Sequence, residues 1–526
     1  MRTDLARGLA LAAGLMCPAM TRAENDPLSA IDWLSQSVTA PAGTAVAAAP
    51  GGTPAPRPAP DEAPVVKGGA LPSDVATSPL DGPSPDAAGL IAPSVSGLPA
   101  NLWGAGRTEE IARAVTEDRM DSLPALRQLF LVMLLAETVP PADNAGRGIL
   151  LQTRVDKLMQ LGALEQAAAL LDVAGADTPE LFRRSFDIAL LTGNEDRACE
   201  RMRHAPGLAP TLQARVFCLA REGNWDAAAL TLSTAKALGQ VTPSQAELLT
   251  RFLDPEIENA LMPPPPVPLT PLDWKIYDAI GESLPTASLP VAFAYAELAP
   301  AAGWKAQIEA AERLTRAGTI APNVILGLYT ERAPAASGGV WDRVEGFQDF
   351  DAALAAGDAT RMAQTLPVVW ARMQEAELEV PFALLYGRML AEQPALTGEA
   401  GAIAYRVGLL SPQAETVART RTPADETEAF LAGLALGHIE GLHPPDSMAR
   451  VIAPAFLAPR LSDRAQALIG GNRLGEALLL AIEEIASGVE GNPDGVTEGL
   501  SLLRAVGLDG VARRTALELL ILERRG

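Results

Sequence analysis

Three histidines, three cysteines and 4% aromatic residues are spread over 526 positions. So few histidines leave little material for a zinc site or a Ser-His-Asp arrangement, and no G-x-S-x-G or Walker-type glycine loop occurs. Alternating runs of Val, Ile, Thr, Tyr and Phe are nearly absent, which removes the sandwich and barrel classes. Beyond residue 23 no stretch approaches the 18 or so uninterrupted apolar residues of a membrane span, so the mature chain is expected not to insert in a bilayer. Positive charge is also short. Lys and Arg total 42 against 64 acidic residues, a formal net charge of −22. That surface repels phosphate backbones and anionic headgroups, and no Lys/Arg-rich run offsets it, so nucleic acid is not an expected partner.

What the chain has in abundance is alanine, within an apolar fraction of 48%. Alanine has the highest helix propensity and lets helices approach closely, so the composition predicts an all-α fold. One phrase recurs: a glycine, a few polar residues, then an alanine-rich apolar run. It reads LGALEQAAALL from Leu161, TGNEDRACERM from Thr192 and EGNWDAAALTL from Glu222. The anchors Gly162, Gly193 and Gly223 are about 30 residues apart, and Ala167, Ala198 and Ala228 each follow five residues later. Looser copies pair Gly357 with Ala363 and Gly471 with Ala477, six residues on. Asn194, Asp196 and Asn224 stand where helix N-caps are expected.

The phrase G-x4-A-x-x-x-L, preceded by a Leu/Ala-rich helix, resembles the tetratricopeptide superfamily of helical-hairpin repeats. The resemblance covers residues 147–251 and, more weakly, 347–485. It implies a right-handed helical-hairpin solenoid that binds a protein or peptide along its concave face.

Arg2 and Arg7, an apolar run from Leu9 to Met20, and Thr21-Arg22-Ala23 read as a signal peptide (1–23) cleaved before Glu24. The expected destination is the periplasm of a high-GC Gram-negative bacterium. Cys17 follows Met16, where lipidation would need a small residue. Cleavage leaves Cys199 and Cys218, which an oxidising compartment would pair as a disulfide between neighbouring helices; two buried free thiols are the alternative.

Residues 24–38 carry an apolar cluster, Leu28, Ile31, Trp33 and Leu34, at near-helical spacing, suited to docking in a partner's groove or back on this chain. Residues 39–100 are Pro/Ala/Gly-rich and read as a disordered linker. Helical-repeat segments are expected at 101–261 and 272–526, separated by a proline-rich spacer at 262–271, with the last helix as a polar-ended cap. Trp225 is expected to wedge between helices. Trp274, Trp304 and Trp341 are expected at helix starts, stapling neighbours.

Candidate chemistry is thin. His438 and His443 are five residues apart, one more than the pair that shares a helix face, and His204 falls at a helix end. Ser233 and Lys236 match S-x-x-K inside an amphipathic helix. Glu282-Ser283 is similar to the Glu-Ser of superhelical lytic transglycosylases, without their later signature. The expected function is therefore a non-enzymatic periplasmic scaffold or adaptor for another cell-envelope protein, with no cofactor and no metal. A peptidoglycan-active enzyme is the alternative.

Overall fold

The computed structural model describes residues 84–117, 122–144, 146–175, 177–254 and 264–522. Among them the regular structure is all-helical, and the extended pairing present is an isolated bridge between Ile91 and Ala136.

The repeated phrase is a turn with one geometry. At Gly162, Gly193, Gly223, Gly357, Glu377, Asn472 and Gly507 the backbone turns left-handed, with φ between 55° and 89°. The next residue sends its N–H back to the carbonyl five positions earlier, as in Ala163 to Leu158, Asn224 to Leu219 and Arg473 to Leu468, at 2.8–2.9 Å. This is the Schellman closure of the preceding helix. The carbonyl of that same residue then accepts the N–H four positions on, opening the next helix. Each new helix starts two residues after the turn, and the fifth residue faces the helix just left. Those fifth residues are Ala167, Ala198, Ala228, Met362, Phe382, Ala477 and Ala512, and none is more than 5% exposed.

This register corrects the late copies. Gly471 has φ −82° and Asn472 is the left-handed residue, so Ala477 falls at the usual fifth place. After Gly357 the fifth place is held by Met362, not Ala363. Asn tolerates the left-handed region because its short polar side chain bonds locally. Asn194 and Asn224 do occupy N-cap positions, but their side chains make no capping bond; that of Asn194 turns back to Thr192.

Packing redraws two expected boundaries. Residues 84–100 belong to the fold. Arg154, buried in the Ile149–Leu161 helix, donates to the carbonyls of Leu134, Ala136 and Ala88. Asp86 accepts from Leu151 N and Asn144 Nδ2. Ile91, Leu98 and Leu102 are buried beside them. Low complexity looked like linker, but a few anchoring side chains suffice when a core is there to receive them. The proline block is not a core boundary either. The Pro271–Ala279 helix, capped by Thr270, returns to the Pro179–Thr192 helix and buries Leu272, Ile276 and Tyr277 with Phe182, Phe186 and Phe217. The 3-10 turns Val291–Leu298 then pack on the Ile149–Leu161 helix, where a side chain at Gly162 would meet Val291 and Leu314.

The two ends of the described chain meet. The Asp509–Ile521 helix packs on Pro124–Leu135, with Glu518 accepting from Ala125 N at 2.9 Å. Leu102 O accepts from Gly475 N, Asn472 O accepts from Ala105 N, and Arg473 bridges to Glu110. The final helix is thus a buried partner of the first ones, with Val511, Ala512, Ala516 and Leu517 in the core; the polar end expected of it, 523–526, lies outside the described residues.

Candidate protein-docking surface

The helices Glu195–His204, Leu212–Arg221, Trp225–Ala237 and Pro243–Leu253 form a lobe that leaves the main core after the Pro179–Thr192 helix and rejoins it at Pro271–Ala279. The lobe has its own apolar centre, where Phe217 stacks on Phe252 at 5.6 Å. Cys199 and Cys218 join its first two helices in a disulfide, with Cα atoms 5.1 Å apart. Both cysteines are buried, and the short turn after His204 places the two helices side by side. Buried polar groups fix the return. Glu195 faces Lys275 at 3.2 Å and Arg221 at 3.5 Å, and Gln213 donates to Asp273 at 2.7 Å.

The Trp225–Ala237 helix is the peripheral element. Ala228, Leu232 and Ala235 face the neighbouring helices and are buried. The solvent side is mixed: Ala227, Leu230 and Leu238 are exposed in line with Thr234, Leu230 to 69% and Leu238 to 64%, and Asp226 and Ser233 are exposed beside them. Asp226 and Lys236 are its only charged residues. Trp225 is 51% exposed in the first turn, so it is a surface residue and not the expected wedge. The sequence signal for this face is the low charge of the helix, two charged residues in thirteen. Trp274, Trp304 and Trp341 do begin helices or lie in first turns; Trp304 and Trp341 contact at 5.0 Å, and Trp274 Nε1 donates to Leu284 O.

Leu28, Ile31, Trp33 and Leu34 lie outside the described residues. Glu282 and Ser283 are exposed in the turn after the Pro271–Ala279 helix, and Ser283 donates to Asp278. His204, His438 and His443 are exposed, as are Ser233 and Lys236, whose ammonium donates to Thr250. The structure does not bring these groups together. Among the described residues no cluster of three potential metal ligands occurs, and no helix is long and apolar enough to cross a membrane. An apolar cleft beside Leu98, Leu129 and Val511 holds about 20 Å³, and a polar one beside Asp86, Asp143 and Arg147 about 30 Å³. Volumes of that order hold one or two water molecules.

No family model, curated protein or solved structure matches this chain.

Proposed function

We propose that the chain is an exported scaffold or adaptor of the cell envelope that binds another envelope protein through its helical-repeat body. The observation that carries this reading is the Trp225–Ala237 helix, which exposes Trp225 and Leu230, with Leu238 at its C-terminal end, to solvent. Exposed Trp225, Leu230 and Leu238 are apolar surface that a protein partner would gain by burying. The hairpin repeat, the finer part of the expected solenoid, supports the reading, because tandem helical hairpins present extended surfaces to proteins. Export to the periplasm is part of the proposal. It is supported by the basic and apolar N-terminus in the sequence and by a disulfide that suits an oxidising compartment.

The test is capture from a periplasmic extract on immobilised protein, with wild type and Leu230→Asp compared side by side. A bound species that the substitution removes supports the adaptor reading. Identical capture, or none, overturns it. Incubation with purified sacculi addresses the enzymatic alternative: muropeptides that disappear in Glu282→Gln would replace the adaptor reading with a hydrolytic one.

A further inference from the structure

We infer that the Glu195–His204 helix is a redox latch: it seats on the lobe when Cys199 and Cys218 are joined and leaves it when both are thiols. The inference goes beyond the docking reading, because it concerns how the lobe is completed and not what binds it.

The helix brings little apolar surface of its own to the lobe. Its sequence is EDRACERMRH, and the residues it buries are Glu195, Ala198, Cys199 and Met202. Apart from Cys199, one methionine and one alanine are all its buried apolar side chains. The Leu212–Arg221 helix, of equal length, buries Ala214, Val216, Phe217 and Ala220 along with Cys218. Helices shorter than about 12 residues are marginal in water, so tertiary contact has to hold this one. Ordering it costs backbone entropy at every position, and the two apolar side chains offset little of that.

Its polar contacts do not make up the difference. The ion pairs of Asp196 with Arg221, Arg203 with Glu222 and Arg201 with Asp177 each have one partner more than half exposed, and pairs of that kind contribute little. Glu195 reaches Lys275 and Arg221 through one carboxylate oxygen. The other, Oε2, is buried with no hydrogen-bond partner among the described residues. A buried carboxylate oxygen left in that state opposes seating of the helix.

The covalent bond supplies what those contacts lack. Closing it is thiol–disulfide exchange with an external disulfide of the glutathione type. One cysteine thiolate attacks that disulfide and displaces one thiolate; the other attacks the mixed disulfide and displaces the second. One S–S bond forms and one breaks. The cysteine pair gives up two electrons and two protons, and the external disulfide becomes two thiols. Cys199 and Cys218 are then buried, so the seated helix shields the bond from reagents until it leaves. The helix also covers the aromatic centre, with the Arg201 guanidinium over the Phe182 ring at 5.4 Å. The lobe is therefore completed where disulfides persist, and in reducing surroundings it stays open beside Phe182.

The experiment uses the full-length protein, either oxidised with glutathione disulfide or reduced with dithiothreitol in mild urea that is then removed. Hydrogen exchange is compared segment by segment. On reduction, amides of 195–204 should exchange about a hundredfold faster, the factor that matches the loop entropy a bridge of this span removes. Those of the Trp225–Ala237 helix should lag behind them by about tenfold, and those of Ile149–Leu161 should be unchanged. Equal acceleration across 195–253, or none at 195–204, overturns the inference. Alkylation of the reduced protein is the second measurement. Both thiols should react with iodoacetamide within about tenfold of their rate in strong urea. Protection of about a hundredfold or more would mean that the helix stays seated without the bond, and that result also overturns the inference.

Discussion

Gly475 packs directly on the ring of Trp103: a Cβ at Gly475 would stand 2.4 Å from Trp103 Cε3. Beside it, a Cβ at Gly104 would stand 1.8 Å from Asn472 O. The turn that opens a late repeat is therefore gripped by the 102–106 loop, near the start of the described fold, and two glycines make the grip possible.

Gly475→Ala and Gly104→Ala should each lower stability by roughly 1–3 kcal/mol, the usual cost of overpacking a fitted contact. Gly303→Ala, where an added Cβ meets nothing within 4 Å, should be close to neutral. Thermal melts of the three variants decide it, and equal melting temperatures would show that the end-to-end contact contributes nothing.

The disulfide closes a short loop within the lobe, with a separation of 19 residues. Cys199→Ala with Cys218→Ala should cost about 3 kcal/mol by the loop-entropy argument. The loss should be local. Hydrogen exchange should accelerate in 195–254 before it does in 474–521, and uniform acceleration would contradict a semi-independent lobe.

Arg154 is fully enclosed, and burial lowers its guanidinium pKa to about 10 despite the carboxylate of Asp86. Arg154→Met would leave several buried carbonyls without a donor, at a cost of roughly 3–5 kcal/mol. The expected first symptom is release of residues 84–91, read as new proteolytic cleavage there. Cleavage no faster than in wild type would show that Arg154 does not hold that segment.

Asp187 has its pKa raised to about 6 from 3.8, chiefly by burial, against Arg183 and Arg184 and with Asp156 adding to the rise. The folded state therefore holds this proton more tightly than the unfolded one. Its stabilising contribution is complete below about pH 4 and is lost as pH climbs through 6. Asp187→Asn should flatten the fall in stability over that window in denaturant titrations at stepped pH. An unchanged slope would assign the pH dependence to other groups.

The hairpin turns were legible because they are local. A left-handed residue, a helix start two positions later and a buried fifth residue are dictated by hydrogen bonds within one short stretch, so glycine and alanine spacing reveals them. The late copies have an irregular spacing in sequence because Asn472, not Gly471, carries the left-handed conformation and Met362 fills the fifth place after Gly357; the turn at Glu377, with Phe382 in the fifth place, has neither glycine nor alanine and leaves no such mark in the sequence. The 84–100 segment is not legible in the sequence for the opposite reason. Its composition is that of a linker, while Arg154, which holds it, lies more than sixty positions away.

From composition and spacing alone one can derive an all-helical chain, its hairpin turns and the cysteine pair, because each follows from backbone propensity or from neighbours in sequence. Which helices end up adjacent follows from no such rule. The return of Pro271–Ala279 to the first core, the contact of Trp103 with Gly475, and the side of the Trp225–Ala237 helix left bare are set by long-range packing. There many apolar faces compete for one partner, and shape complementarity selects the pair.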